Sequence, residues 1–381
     1  MRILHVNNVL PVEPMDGGRM RKQQHLDALA DRHEVWVIGR TPDADARDAL
    51  ARTHPEWTLI TVPEEEVPGR NPVAAAVRDL AARVAFDLVF VSGFSQWPGE
   101  RAFRDSLVVL DIDSVDATVF QRMRDTDRAA ASSFDIAATE ALTRTVCRRA
   151  DLVLTCSDVD AAQLRALAPD ARIGVVANGI DARSFRGMGA VPDGPPVVTF
   201  TGFLAYWPNA DAATFLMAEI LPLLRARVPE VRVRLVGRVP PESVVTLARQ
   251  HGVELHADVP DMRPWFETTH VLVAPIRAGS GTRLKILEAF AARRPVVSTS
   301  IGCEGLDVRD GEHLLVADTA PAFADAVARL LSDRNHADRL AMQAHDLLLA
   351  RYERSALADH LRALIDTLGR RRAEPGASGR T

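Results

Sequence analysis

Lysine is almost missing from this sequence: of its 46 basic residues only Lys22 and Lys285 are lysines. GC-rich coding would favour such a bias, so a lysine kept at 285 points to a position that wants a compact ammonium rather than a planar guanidinium. Cysteine is scarce too. Cys147, Cys156 and Cys303 are odd in number and lack the paired spacing of a zinc site, so buried reduced thiols are expected. Long apolar runs are absent, and none approaches the roughly 18 residues a membrane span needs. The opening MRILHV reads as a first strand ahead of Asn7 and Asn8 rather than as a signal-peptide core, which predicts a cytoplasmic protein without a transmembrane segment. An excess of positive charge is missing as well. The net charge of −5 lies in residues 1–190, with 23 basic and 28 acidic residues, while residues 191–381 carry 23 of each. Neither half offers the basic surface that nucleic acid or anionic lipid requires.

What is present is an ordinary globular composition, 47% hydrophobic and 25% charged, over 381 residues. That length exceeds a single core and predicts two domains. Short β-rich runs alternate with amphipathic stretches: RILHV, a helix over 19–32, EVWVIG, WTLITV, a helix over 73–84, DLVFVS, LVVLDID, helices over 115–124 and 132–149, DLVLTCS, a helix over 159–167 and IGVVANG. Such alternation is the signature of a parallel sheet covered by helices. The stretch DARSFRGMGAVPDGPP, rich in glycine and proline, reads as a linker. The pattern then restarts with VVTFTG, a helix over 210–225, VRVRLVG, a helix over 242–251, VELHA, a short helix over 262–267, HVLVAP, a helix over 283–292 and PVVSTS. Helices over 321–332, 337–351 and 356–368 follow, and residues from Arg370 on read as a frayed tail. The expected fold is α/β, with two Rossmann-like βαβ domains facing across a cleft.

One stretch concentrates chemistry. APIRAGSGTRLKILEAFAARRPVVSTS joins a buried strand, a Gly-rich loop and a helix carrying Arg283 and Lys285 in its first turn and Glu288 one turn on. Cations at a helix N-terminus oppose its dipole, so an anion is the economical explanation, and the loop reads as a phosphate site. In the first half, Gly17 and Gly18 open the first helix and Arg19, Arg21 and Lys22 follow. Gly17, Gly18 and Arg19 read as ligand residues, whereas Arg21 and Lys22 read as a solvated first turn.

Taken in order, TGFLAYWPNADAATFL, VRVRLVGR, ADVPDMRPWF, GSGTRLKILEAFAARRPVVSTSIGCEGL and DGEHLLVAD resemble the donor domain of GT-B glycosyltransferases of family 4. PMDGGRMR, DIDSVD and VVANGIDARSF extend the likeness over nearly the whole chain. The resemblance implies an acceptor-side domain over 1–184, a linker over 185–196, a donor domain over 197–352, C-terminal helices over 353–369 returning to the first domain, and a disordered tail over 370–381. It further implies transfer of a sugar from a UDP-, GDP- or dTDP-linked donor to a hydroxyl or amine acceptor. Retention, and action without metal or other cofactor, belong to the same expectation, in polysaccharide or secondary-metabolite synthesis.

Many such enzymes carry Glu-x7-Glu at this place. Here Ser280 stands first and Glu288 second, so the resemblance carries ribose binding to Glu288 but not the sugar contact of the first Glu. The usual Arg and Lys after the first donor-domain strand are replaced by LAYWPN, whose Tyr206, Trp207 and Asn209 cannot neutralise two phosphates. Arg283 and Lys285 are the expected substitutes, helped by Arg238 and Arg277, with a surface ion pair the alternative for each of the latter two. Gly202, Gly279, Ser280, Gly281 and Thr282, with backbone at Val259 and Pro260 on the base edge, complete the expected donor set. Asp111-x-Asp113 also spells the metal pair of the GT-A fold, which would leave the second βα domain unexplained. Asp113 is therefore assigned to a sugar or acceptor hydroxyl, with a loop cap as its alternative. A sugar-nucleotide 2-epimerase and a non-catalytic sugar-nucleotide binder stay open beside the transferase. A dehydrogenase does not, because neither first strand is followed by Gly-x-Gly-x-x-Gly.

Overall fold

A computed structural model describes residues 1–13, 15–62, 71–93, 97, 105–127, 129, 131–188 and 193–373. Residues 189–192 of the expected linker and 374–381 of the expected tail lie outside them. By its contacts the chain divides into two units, one of Met1–Ala117, Asp135–Ala177 and Ser355 onward, the other of Thr118–Phe134 and Asn178–Arg354.

The first unit holds a parallel sheet of seven strands: β1 Arg2–Val9, β2 Glu34–Arg40, β3 Trp57–Val62, β4 Leu88–Ser92, β5 Leu107–Ile112, β6 Leu152–Thr155 and β7 Ile173–Val175, in the order β3-β2-β1-β4-β5-β6-β7. All five residues of β4 and all but the first of β5 are buried, as expected for inner strands covered on both faces. The last helix, Arg354–Ala373, buries Leu361, Ile365 and Leu368 in the same core as Ile3, Leu26 and Leu29. Residues 370–373, read from sequence as part of the tail, are helical.

The second unit holds six parallel strands: β8 Val197–Phe203, β9 Arg232–Arg238, β10 Glu254–Ala257, β11 Val271–Ala274, β12 Val296–Ser298 and β13 Leu315–Val316, in the order β10-β9-β8-β11-β12-β13. In each sheet the strand order reverses beside its first strand, at β1/β4 and at β8/β11. Ligands of such sheets bind outside the carboxyl ends at that reversal. In the second unit the place is formed by the residues after β8 and after β11.

Three local readings are corrected. The single helix expected over 210–225 runs instead as Trp207–Phe215, a π-turn over Leu216–Ile220 and Leu221–Arg227. Pro222 lacks an N–H and its ring would clash with a carbonyl one turn back, so the ladder widens there. The helix expected over 132–149 starts only at Ile136, capped by Asp135, whose side chain accepts from Ala138 N. A helix over Ala44–Thr53 escaped the sequence reading because Leu50 is its one buried residue. Among the described residues no helix is long and apolar enough to cross a membrane, and all three cysteines are buried thiols outside any disulfide.

Candidate functional site

In the second unit the loop after β11 runs through Gly279, Ser280, Gly281 and Thr282 into the helix Leu284–Ala291, with Arg283 at the cap position and Lys285 second in the helix. Gly279 and Gly281 have φ of 137° and 76°, values that favour glycine. Arg283 turns back on its own loop: Nη1 donates to the carbonyls of Ser280 at 2.5 Å and Gly281 at 2.6 Å. A Cβ on Gly279 would come within 2.6 Å of the Arg283 guanidinium, so that close approach requires glycine. At the far end of the loop Asn178 Nδ2 donates to Thr282 Oγ1 at 2.8 Å.

Lys285 is buried, and its ammonium donates to Asn209 Oδ1 at 2.7 Å and stands 4.1 Å from the Phe200 ring centroid. Asn209 is fixed in turn by donating Nδ2 to the Phe203 carbonyl at 2.9 Å. Gly202 forms the third wall, where a Cβ would lie 2.9 Å from Lys285 Nζ. Burial, with the like charge of Arg283, pulls the Lys285 pKa down to about 7. Glu288, half-buried one turn on, is raised to about 7 by burial, against the pull of Lys285. An amide and a ring thus hold a cation whose charged form burial disfavours.

The other expected donor residues are placed differently. Arg277, for which a surface ion pair was the alternative reading, is bidentate on Asp211, at 3.0 and 2.6 Å, and lies 4.6 Å over Phe215. Arg238 ends β9 with its guanidinium 5.8 Å from the Phe203 ring. Val259 and Pro260 follow β10 in the loop that begins at Asp258. A residue that the sequence gave no reason to pick also meets the Gly-rich loop, and a second one holds it. Arg122 Nη1 donates to the Gly279 carbonyl at 2.6 Å and pairs with both oxygens of Glu304, at 2.6 and 2.8 Å. Their separations of 157 and 182 residues put them beyond any local motif.

In the first unit Gly17 and Gly18 start the helix Gly17–Ala30, whose cap Asp16 accepts from Arg19 N at 2.9 Å. Arg19 also donates from Nη1 to the Val12 carbonyl at 3.1 Å. A Cβ on Gly18 would lie 3.8 Å from Asp113 Oδ2, an ordinary van der Waals distance that places Gly18 beside that carboxylate. Asp113 is exposed. Burial of its surroundings and the Asp111 carboxylate hold its pKa above the usual range, and water screens part of that effect.

Arg21 is corrected from a solvated first turn to a buried one. It is 2% exposed, chelates Asp111 through Nε and Nη2, and donates to the Val176 carbonyl at 2.8 Å. Asp111, with both oxygens on Arg21, is thereby held below the ordinary carboxylate range despite burial and is committed to an ion pair. The described residues contain no group of three or more His, Cys, Asp or Glu that could hold a metal. Lys22, half-buried, donates to the Val9 carbonyl at 3.3 Å, with its pKa lowered by burial.

Each unit is thus a parallel α/β layer with a glycine-opened helix start and cations at its strand-order reversal. Residues 23–184 match the family described as Glycosyltransferase Family 4, and residues 195–333 match Glycosyl transferases group 1. The chain thus carries one domain of each of these glycosyltransferase families and has the GT-B architecture. In fold it is similar to sucrose-phosphate synthase of Thermosynechococcus elongatus, with a TM-score of 0.79 and 17% identity over 97% of this chain and 99% of that one. It is likewise similar to HepE of Anabaena, solved with UDP-glucose, with a TM-score of 0.72 and 14% identity over 96% of this chain and all of that one. Among curated sequences it is 37% identical over 76 residues, 19% of this chain, to the lipopolysaccharide core biosynthesis glycosyltransferase LpsE of Rhizobium meliloti. It is 24% identical over 216 residues, 54% of this chain, to the phosphatidyl-myo-inositol mannosyltransferase of Mycobacterium tuberculosis. The chain spans 22% and 56% of those two relatives' lengths.

Proposed function

We propose that the protein transfers a sugar from a nucleotide diphosphate sugar to a hydroxyl or amine acceptor, with retention, and that its donor binds at the loop and helix start of residues 279–288. The observation that carries this reading is Lys285, a buried ammonium met by a neutral amide and repelled by Arg283. Glu288 one turn on offsets that repulsion only in part, and a diphosphate there would add the counter-charge. In the reaction the departing nucleotide diphosphate gains negative charge, and preorganised cations and N–H donors stabilise it without needing to reorganise. Lys285 and the loop amides take that role. Arg283, whose Nη1 grips two carbonyls, adds positive potential and loop stiffness. Glu288 in this reading accepts from the ribose hydroxyls, and backbone at Val259 and Pro260 meets the base. Asp113 contacts a sugar or acceptor hydroxyl beside Gly17 and Gly18. The donor is UDP-, GDP- or dTDP-linked. The R. meliloti and M. tuberculosis relatives, named for lipopolysaccharide core and phosphatidyl-myo-inositol glycosylation, support an acceptor in polysaccharide or related glycan synthesis.

The test is incubation with labelled UDP-, GDP- and dTDP-sugars, with and without oligosaccharide or lipid-linked acceptors, in excess EDTA. Acceptor-dependent transfer that survives EDTA is expected. Conversion of the sugar without acceptor would make the protein an epimerase, binding without turnover would make it a binder, and loss on chelation with rescue by Mn²⁺ would overturn the metal-free reading.

A further inference from the structure

The loop 279–282 is held at every residue, and two of the holders come from far away in sequence. Gly279 offers its carbonyl to Arg122, Ser280 and Gly281 offer theirs to Arg283, and Thr282 accepts from Asn178. In a trans peptide the carbonyl and the following N–H point in opposite directions. Fixing the carbonyls of Gly279, Ser280 and Gly281 on guanidinium groups therefore aims the amides of Ser280, Gly281 and Thr282 away from those groups. Successive amides aimed alike make an anion-binding concavity.

Arg122 is itself restrained. Glu304, following the short helix Ser300–Cys303, takes both terminal nitrogens of its guanidinium. The ion pair is part-buried, with side chains 21% and 26% exposed. The backbone around Arg122 is seated independently of that pair: Val119, Met123 and Ala131 share a buried cluster with Ala278, the residue preceding Gly279, and Phe120 and Trp207 pack against it. The cluster brings the helix to the loop, and the guanidinium orients the peptide.

We infer that Arg122 is a positioning residue for the anion loop: it sets the Gly279–Ser280 peptide plane, and Glu304 holds its charge on that carbonyl and off the ligand. The inference rests on the donor reading above and adds a residue to it. It differs from the simpler idea that Arg122 binds phosphate directly, because Glu304 has opposite effects in the two cases. If Arg122 were a ligand, removing the carboxylate charge would free it and tighten binding. If Arg122 positions the loop, the same change lets the guanidinium drift and weakens binding.

The experiment measures affinity for UDP, GDP, dTDP and inorganic pyrophosphate by calorimetry in the full chain, for the wild type, Arg122→Gln, Arg122→Lys and Glu304→Gln, with melting temperatures in parallel. Both Arg122→Gln and Glu304→Gln are expected to weaken the nucleotide and pyrophosphate by about tenfold, with Arg122→Lys recovering little because an ammonium lacks the planar fork that takes both Glu304 oxygens while fixing the carbonyl. In turnover, donor KM should rise while acceptor KM stays. Unchanged or tighter binding in Glu304→Gln overturns the inference, as does a fall in melting temperature with affinities intact. If Arg122→Gln does not fold, Glu304→Gln and Arg122→Lys decide alone. A wild type that binds none of the four probes overturns the donor reading and this inference together.

Discussion

Arg21 and Lys285 look alike in sequence, each a buried cation near the start of a helix beside glycines at a strand-order reversal, yet their partners differ. Arg21 is buried with its anion built in, bidentate on Asp111 and further held by Val176. Lys285 is buried with a neutral amide and a ring. A charge compensated within the fold serves the fold, whereas a buried ammonium hydrogen-bonded to a neutral amide, with only Glu288 to offset it, is where the proposed donor reading puts a ligand's charge.

Breaking the Arg21 side should cost the most. Asp111→Ala leaves a guanidinium uncompensated beneath the sheet, and losing one partner of a buried pair costs about 3–5 kcal/mol. Denaturant melts should show that loss, and nucleotide affinity of the protein that remains folded should be unchanged. A fall in affinity at unchanged stability would mean Arg21 and Asp111 serve a ligand after all.

On the Lys285 side the order reverses, with function lost and stability kept. Lys285→Arg keeps the charge but must fit a branched guanidinium where Gly202, Asn209 and Phe200 leave room for an ammonium. The transfer rate should fall on the order of 10²-fold, as misplacement of about 1 Å can do. Full activity in Lys285→Arg with loss in Lys285→Ala would reduce the residue to a bare charge. A smaller effect is expected at Glu288→Ala, where losing hydrogen bonds from ribose hydroxyls to a charged acceptor costs ~1.5–3 kcal/mol of nucleotide affinity. An unchanged dissociation constant would remove Glu288 from the ribose.

The difference between the two cations could not be read from sequence, and the reason is physical. The alternation of apolar runs with helical stretches made both sheets legible, since inner strands such as β4 are apolar on both faces. Ala44–Thr53 stayed hidden because a helix with Leu50 as its one buried residue has no apolar stripe to detect. The Gly-rich loop, Lys285 and Glu288 were visible because they lie within ten residues of one another. Arg122, Asn178, Asn209 and Glu304 were not, because only tertiary packing brings them to that loop or to Lys285. Arg21 was misread, and the ion pair of Arg277 stayed one of two alternatives, for the same reason, as Asp111 and Asp211 stand 90 and 66 residues from them.

The finest contrast between the units is in pH. In the first, His5 is buried, stacked at 4.6 Å on Phe90, and burial with the neighbouring His25 lowers its pKa to about 3. The unfolded chain then binds a proton that the folded one refuses, so His5 lowers stability as pH falls from 6.5 towards 3 and has no effect above. In the second unit the effect lies on the alkaline side and on the ligand. Lys285 titrates near 7 in the empty protein, and a bound diphosphate must raise that value, because an anion favours the charged form. Between about 7 and the raised value the complex therefore holds one more proton than the free protein. Nucleotide affinity should weaken as pH rises through that window, by at most about tenfold per pH unit for one proton. Calorimetry at pH 8 in two buffers of different ionisation enthalpy reads the proton directly: uptake is expected in the wild type and its disappearance in Lys285→Arg, whose guanidinium does not titrate there. Glu288 works against this, because it also titrates near 7 and releases its proton if the ribose hydroxyls favour the carboxylate. Glu288→Gln should then leave the uptake by Lys285 larger. Equal heats in the two buffers for both the wild type and Glu288→Gln would show that Lys285 is already charged in the empty site, and with it the contrast to Arg21 would fall.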